Sequence, residues 1–254
     1  MIDKMENNSK HKNCVVFTTH KLDDNILRYL RFIKTASDGV LDLVVLYDCS
    51  ASSLEKDMLK EFDFFLFDSS KLPRFFYYYD RSLPNPLVAL VELAKHRKYD
   101  HYLLMENDIV LNGNLANFFK RMNATNKADY IHIATDVMGG PLRHWPVQYI
   151  IDSPFENLYF AWSQVFFVSK RYLDELEKFM QRNGSFYYEF LLPTLAYNRH
   201  FSIRQFESYG YHFEVSWGPT EKCEDKFRNH PQQDTFYHPI KNLSLIKGLD
   251  FKIV

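Results

Sequence analysis

Largely apolar runs, each closed by an acid or a hydroxyl, dominate the first half of this chain. The four runs are Val15–Thr18, Leu41–Tyr47, Phe64–Phe67 and Tyr102–Met105. Segments with the apolar spacing of amphipathic helices lie between several of them. Because long apolar runs fit strands that are covered on both faces, they are typical of parallel sheets. The pattern therefore predicts an α/β fold with a mostly parallel, Rossmann-type central sheet flanked by helices.

The positions of the elements follow from the same patterns. Apolar spacing predicts helices over Asp24–Lys34, Ser53–Phe62, Pro84–Arg97, Leu115–Met122, Lys170–Arg182 and Phe186–Asn198. Two more strands are expected at Tyr130–Ile133 and Trp162–Val168. Residues 139–155 and the chain beyond Ser216 are polar or rich in Pro and Gly, and no repeat, linker or low-complexity segment is visible. We expect a single domain, 1–254, whose second half is irregular.

Composition excludes several classes of function. The net charge of −1 argues against broad nucleic-acid binding, since no basic field exists to gather phosphates. The sequence has no glycine-rich phosphate loop, no H-E-x-x-H and no C-x-x-C, which argues against P-loop, zinc-hydrolase and thiol-redox chemistry. The three sparse cysteines indicate reduced thiols and a cytoplasmic location. We expect no signal peptide and no transmembrane segment, while peripheral membrane association stays open.

Two acids separated by one residue close the fourth run, at Glu106-Asn107-Asp108. Residues two apart on a strand point the same way, and paired buried carboxylates are costly unless a cation or hydrogen-bond donors meet them. Ligands of open α/β sheets bind beyond the carboxyl ends of the strands. Oxygen ligands suit Mg²⁺ or Mn²⁺. The pair is therefore a candidate divalent-metal site, the alternative being strand-end acids that cap a turn.

This arrangement resembles that of the GT-A-fold glycosyltransferases, whose signature is Asp-x-Asp after a central strand. The resemblance, which spans about residues 13–241, implies that Asp108 contacts a metal and that Glu106 lies near the metal or the ribose. It also implies that Thr18, Thr19 and Asp48 hold the nucleotide. Residues 13–136 would form the nucleotide-sugar-binding half and residues 137–254 the acceptor-binding half. Glu in the first position makes the motif a variant, which bears on metal dependence more than on the fold.

Two later segments carry further matches to this superfamily. Glu189, followed by a Leu-Leu-Pro-Thr sequence one residue later, fits the acid that takes the acceptor's proton in inverting members. His238 fits a C-terminal histidine that reaches the metal, and Lys241 fits a basic residue that neutralises the diphosphate. The alternatives are an acid favoured in the first turn of a helix, for Glu189, and a surface turn, for the other two.

The acceptor side would include Trp162 and Gln164, with Trp145 and Trp217 as further stacking platforms. A lone Trp is more often a core residue. His132 is interpreted as a core histidine, and Asp136 fits either a cleft or a turn.

Three functions remain at this point. The first is a GT-A-type glycosyltransferase, assisted by Mn²⁺ or Mg²⁺, that moves a sugar from a nucleotide-diphosphate sugar to a saccharide or glycan hydroxyl, with inversion, in polysaccharide biosynthesis. The second is a nucleotidyltransferase, against which the lack of glycine in Phe17–Lys21 counts. The third is an inactive carbohydrate-binding protein on the same fold. The transferase hypothesis would fail if the oxygens of the two acids pointed away from any cleft, or if internal arginines and lysines were bound to them.

Overall fold

A seven-stranded sheet forms the centre of the fold in the computed structural model. The structure describes residues 12–37, 39–50, 54, 58–72, 86–125, 128–133, 154–182, 188–215 and 220–248. The strands of this sheet are β1 (Asn13–Thr19), β2 (Asp42–Asp48), β3 (Asp63–Phe67), β4 (His101–Glu106), β6 (Tyr130–His132), β7 (Val165–Ser169) and β8 (Ile203–Gln205). Their order is β3-β2-β1-β4-β7-β6-β8.

The sheet is mostly parallel. β1 pairs in parallel with β2 and β4, β2 with β3, and β6 with β8, whereas β7 runs antiparallel to both of its neighbours. β1 and β4 are central and almost entirely buried, which explains their unbroken apolar sequences. The predicted fold class is confirmed.

The structure describes six α-helices. They are α1 (Asp24–Ser37), α2 (Pro86–His96), α3 (Leu115–Ala124), α4 (Lys170–Arg182), α5 (Tyr188–Asn198) and α6 (Glu221–Asn229), and short 3₁₀ helices cover Met58–Lys60, Phe206–Tyr209 and Leu243–Gly248. α1 contacts α3, and α2 contacts α4. One cluster of buried apolar residues includes side chains from β1 through Ile246, so both halves of the chain contribute to it.

A second, three-stranded sheet lies beside the first and was not expected. Its order is β5 (Val110–Asn112), β10 (Thr235–His238) and β9 (His212–Val215), with β10 antiparallel to β5 and parallel to β9. Because β5 follows β4 after a short turn, this sheet brings the C-terminal part of the chain to the end of β4.

Three predicted elements differ from the structure. The helix expected over Ser53–Phe62 is, within its described part, the 3₁₀ helix Met58–Lys60, and Ser53 lies outside the described residues. The strand expected from Trp162 begins at Val165. α6 occupies a stretch that was predicted to be irregular. The predicted starts Pro84 and Phe186 also lie outside the described residues.

Candidate functional site

The carboxyl ends of β1 and β4 lie side by side and form the base of the candidate site. In the parallel register of these two strands, Thr18 is opposite Glu106. Glu106 is the last residue of β4, and its backbone N–H donates to the Gln164 carbonyl at 3.0 Å. Thr18 and Glu106, which were predicted to lie at the same edge of the sheet, are therefore neighbours on adjacent strands.

A tight turn, rather than the alternation of a strand, presents the second acid. β4 ends at Glu106, and the Ile109 backbone N–H donates to the Glu106 carbonyl at 3.0 Å. Asp108 lies within this turn and is almost fully buried. The expectation that both acids extend from one strand is wrong in detail, although the turn does bring them together.

The C-terminal segment reaches Asp108 through the backbone. The Ile240 N–H donates to the Asp108 carbonyl at 2.9 Å, and His238 ends strand β10 just before it. A cis peptide bond joins His238 to Pro239. This segment places two side chains at the turn: His238 Nε2 lies 3.6 Å from Asp108 Oδ1, and Lys241 Nζ forms an ion pair with Asp108 Oδ2.

Glu106, Asp108 and His238 form a three-residue group with the composition of a metal site. One potential ligand atom from each lies within 4.8 Å of the others. All three were predicted as metal ligands, and the structure brings them together although 130 residues separate Asp108 from His238.

Burial and neighbouring charges set the protonation of two of these groups. Burial, Asp108 and Glu189 together raise the pKa of Glu106 well above its ordinary value, against the lowering effects of Tyr188 and Lys241. Burial lowers the pKa of His238; Asp108 opposes this shift and Lys241 adds to it. A neutral imidazole has a lone pair to donate, which is the form that binds metals.

The group fits a divalent cation on its chemistry. Two carboxylates and an imidazole suit Mn²⁺ or another borderline cation, and a cation would also offset the cost of the acids that share this space. His238 Nδ1 is buried and makes no hydrogen bond to the described part of the chain. The Asp108 carboxylate is paired, but its lysine partner is not internal, because the Lys241 side chain is 64% exposed whereas that of Asp108 is 8% exposed.

A third acid, Glu189, lies near this group and acts on the charge of Glu106. Glu189, in the first turn of α5, is only 1% exposed. Its Oε1 accepts a hydrogen bond from Gln164 Nε2 at 2.8 Å and one from the Ser163 backbone N–H at 3.4 Å. The preceding residue, Tyr188, donates its hydroxyl to Glu106 Oε1 at 3.2 Å. The start of α5 therefore connects the candidate base to the candidate metal ligand.

Tyr188 is a contact that the sequence did not reveal, and Ser163 was noted only as part of the candidate acceptor segment Trp162–Gln164. Both lie next to residues that were singled out, but no pattern indicates that a tyrosine hydroxyl would point to Glu106 rather than into the core. A small cleft beside Asp108 was also unforeseen. It is lined by Lys21, Asp23, Asn25, Ile26, Asn107, Asp108, Ile240, Lys241 and Leu243.

Two of the residues predicted to bind the nucleotide are engaged in local turns. Thr19 Oγ1 donates to the Lys21 carbonyl at 2.7 Å. Asp48 Oδ1 accepts from the backbone N–H groups of Ser50 at 2.9 Å and Ser69 at 3.1 Å, and the residue is buried. Asp48 ends β2, two strand spacings or about 10 Å from β4, so it does not join the metal group.

The predicted acceptor residues fall into two groups. Gln164 contacts Glu189, as described above, whereas Trp162 is 7% exposed and packs edge-on against Phe160, which leaves little of its ring for a sugar. Trp145, Trp217 and Asp136 lie outside the described residues. His132 is buried and stacks on Tyr130, as expected of a core histidine.

Comparisons with known proteins give structural similarities alone. No protein-family model matches the chain, and no curated protein matches it. Among solved structures, it is similar to CMP:2-keto-3-deoxy-manno-octonic acid synthetase complexed with CTP, with 10% identity, a TM-score of 0.44, and 76% of this chain and 88% of that chain covered. It is similar to the inositol-1-phosphate CTP transferase from T. maritima, with 10% identity, a TM-score of 0.43, and 78% and 86% covered.

A third similarity is to galactosyltransferase LgtC in complex with donor and acceptor sugar analogs, with 11% identity, a TM-score of 0.44, and 86% of this chain and 79% of that chain covered. The solved structures that this chain resembles thus include glycosyltransferases and nucleotidyltransferases. At these TM-scores, the similarities say nothing about residues or activity. Among the helices that the structure describes, none is long and apolar enough to cross a membrane.

Proposed function

We propose that this protein is a GT-A-type glycosyltransferase that moves a sugar from a nucleotide-diphosphate sugar to a hydroxyl of a saccharide or glycan. The observation that carries the proposal is the group Glu106, Asp108 and His238, gathered at the carboxyl end of a central parallel strand. The resemblance of the Glu-Asn-Asp sequence to the Asp-x-Asp signature supports the same reading. A cytoplasmic location stays a prediction that rests on the sparse cysteines.

The metal group and Lys241 would act on the leaving group. When bound, Mn²⁺ or Mg²⁺ would supply Lewis-acid neutralisation of the charge that develops on the diphosphate. Glu106, Asp108 and His238 would hold it, and Lys241, on the rim of the adjoining cleft, offers a further positive charge. Thr18, next to Glu106, and the turns at Thr19 and Asp48 would contribute to the nucleotide side.

Glu189 would act on the acceptor. In an inverting transfer the acceptor oxygen forms a bond to the anomeric carbon, and the bond from that carbon to the diphosphate oxygen breaks. The electron pair leaves with the nucleoside diphosphate, and the acceptor proton passes to a carboxylate. The hydrogen bonds from Gln164 and Ser163 orient Glu189 for this role. Since Glu189 is enclosed here, the acceptor has to open a path to it when it binds.

The direct test is product analysis with a panel of nucleotide sugars, saccharide acceptors and Mn²⁺. We expect nucleoside diphosphate and a glycoside in equal amounts. Asp108→Asn should lower the rate at least about a hundredfold, because a carboxylate ligand is lost. Asp225→Asn, which changes an exposed acid paired with Arg228, should leave the rate within about twofold.

Two other results would replace the proposal. Release of pyrophosphate from a nucleoside triphosphate and a sugar phosphate would identify a nucleotidyltransferase. Calorimetric binding of nucleoside diphosphates with no turnover of any donor would favour an inactive binding protein.

A further inference from the structure

Lys241 forms an ion pair with Asp108, whose carboxylate the proposed metal would also bind. Its ammonium group is paired with Asp108 Oδ2, while His238 Nε2 faces the other oxygen, Oδ1, at 3.6 Å. A divalent cation held between Asp108 Oδ1 and His238 would therefore bind a carboxylate whose other oxygen already has a cationic partner.

The backbone on either side of Lys241 is held by hydrogen bonds, whereas its side chain lies largely in solvent. The neighbouring Ile240 is fully buried and donates its N–H to the Asp108 carbonyl at 2.9 Å. Two residues after Lys241, the Leu243 carbonyl accepts a hydrogen bond from Arg28 Nη2 on α1 at 3.1 Å. The lysine side chain itself is 64% exposed. Its ammonium group can leave Asp108 by rotation about side-chain bonds, without displacing the chain.

The charges around Asp108 make the two cations competitors. A divalent ion and an ammonium group on one carboxylate repel each other, and the repulsion is strong where Asp108 is shielded from solvent. Removal of the ammonium group should therefore strengthen metal binding, whereas removal of a ligand should weaken it.

We propose that Lys241 is a built-in competitor for the metal site, which neutralises Asp108 in the metal-free protein and has to release it when a divalent cation binds. The inference rests on the metal site of the proposed function and adds a control over that site. Under this proposal the Lys241 ammonium group has two positions, one paired with Asp108 and one in the adjoining cleft. Lys241 is among the residues that line this cleft.

The test is calorimetric titration of the full chain with Mn²⁺ alone, without nucleotide. We expect Lys241→Met to bind Mn²⁺ at least tenfold more tightly than the unmodified protein, and Asp108→Asn to bind it at least tenfold more weakly. Lys241→Arg, which keeps the positive charge, should stay within threefold of the unmodified protein. Lys21→Met removes another positive charge from the same cleft and should also change the affinity by less than threefold.

Several outcomes would overturn the inference. Equal Mn²⁺ affinity of the unmodified protein and Lys241→Met would refute the competition and leave the metal site in place. An equal gain in Lys21→Met would assign the effect to the net charge of the cleft. If neither the unmodified protein nor Lys241→Met binds Mn²⁺, the metal site of the proposed function fails as well. Thermal unfolding without metal checks that each variant is folded.

Discussion

Glu106 and Glu189 are two shielded acids whose charges act on each other. Glu189 helps to raise the pKa of Glu106, after burial and Asp108, and each acid has its own donor: the Tyr188 hydroxyl for Glu106 and the Gln164 amide for Glu189. Shielded like charges are unfavourable, so removal of one of them relieves the other.

The substitution Glu189→Gln separates a role of this residue in catalysis from a role in the fold. The new amide oxygen can still accept from Gln164 and the lost charge lowers repulsion with Glu106, so we expect the melting temperature not to fall. The transfer rate should drop by about 10² to 10⁴, because an amide cannot take the acceptor proton. Donor binding by calorimetry should stay within about threefold.

Glu214→Gln is the matched control, because Glu214 lies on β9 in the small sheet and pairs with Lys226. Transfer at the normal rate in Glu189→Gln would move the base to another residue. A loss of donor binding of the same size as the loss of rate would indicate a structural role instead.

The sequence revealed the charged members of the site better than the groups that orient them. Glu106, Asp108 and Glu189 are conspicuous because acids interrupt or begin apolar segments. The hydrogen bond from Tyr188 could not be foreseen, since the direction of a side chain depends on how α5 packs against the end of β4. The pairing of Lys241 with Asp108 was likewise invisible, because it follows from the docking of β10.

At the scale of elements, Asp129, just before β6, links the ends of three strands and one helix. Its carboxylate accepts from the Ser169 hydroxyl at 2.8 Å, at the end of β7, and from the Ser202 backbone N–H at 3.0 Å, just before β8. It also pairs with Arg171 at the start of α4. Burial would raise the pKa of Asp129, but these three donors outweigh it and lower the pKa below its ordinary value.

Asp129→Ala should therefore destabilise the protein by about 2 to 3 kcal/mol at pH 7, mainly by leaving the Ser202 and Ser169 donors without a partner. Little of this comes from the exposed Arg171. Because the folded-state pKa is lowered, the contribution of ionised Asp129 is fully present above about pH 4 and is lost as the pH falls through the folded-state pKa. Urea unfolding should accordingly show a smaller difference between the variant and the unmodified protein near pH 3 than at pH 7.

Asp174→Ala serves as the control, since Asp174 also pairs with a residue at the start of α4, Lys170, but is exposed. We expect a change below about 0.5 kcal/mol. A similar loss in both variants would mean that the contacts across β6, β7 and β8 add nothing to an ordinary surface ion pair.

Elements were predictable where the apolar pattern is long. β1, β2 and β4 and the helices α1, α3 and α4 lie close to their predicted positions, because each has enough residues for a clear period. The strands β5, β8, β9 and β10 have three or four residues each, and their partners are distant in the chain. Their pairing depends on packing that local sequence does not encode, which is why the small sheet was missed.

At the scale of the whole molecule, ligand binding at this site should be visible as stability. In the presence of saturating Mn²⁺, a nucleoside diphosphate at about 100 times its dissociation constant should add about 2.7 kcal/mol to the free energy of unfolding beyond the effect of Mn²⁺ alone. For a chain of 254 residues this corresponds to a rise in melting temperature of about 5 to 10 °C. Differential scanning fluorimetry measures the shift.

The part of the shift that requires Mn²⁺ should disappear in Asp108→Asn and persist in Asp225→Asn. An equal shift in both variants would place the ion at another site on the surface. No shift with any nucleoside diphosphate and Mn²⁺ would count against nucleotide-sugar binding altogether.

The backbone hydrogen bond from Ile240 to Asp108 has a consequence for the order in which the site is assembled during biosynthesis. Two of the three grouped ligands, Glu106 and Asp108, leave the ribosome more than a hundred residues before His238. A nascent polypeptide that has already paired β1 with β4 still lacks the imidazole until the C-terminal segment has emerged and docked. With the proposed metal at this group, cation capture would be a late event of maturation, and a ribosome-stalled fragment that ends before residue 235 should fail to retain Mn²⁺.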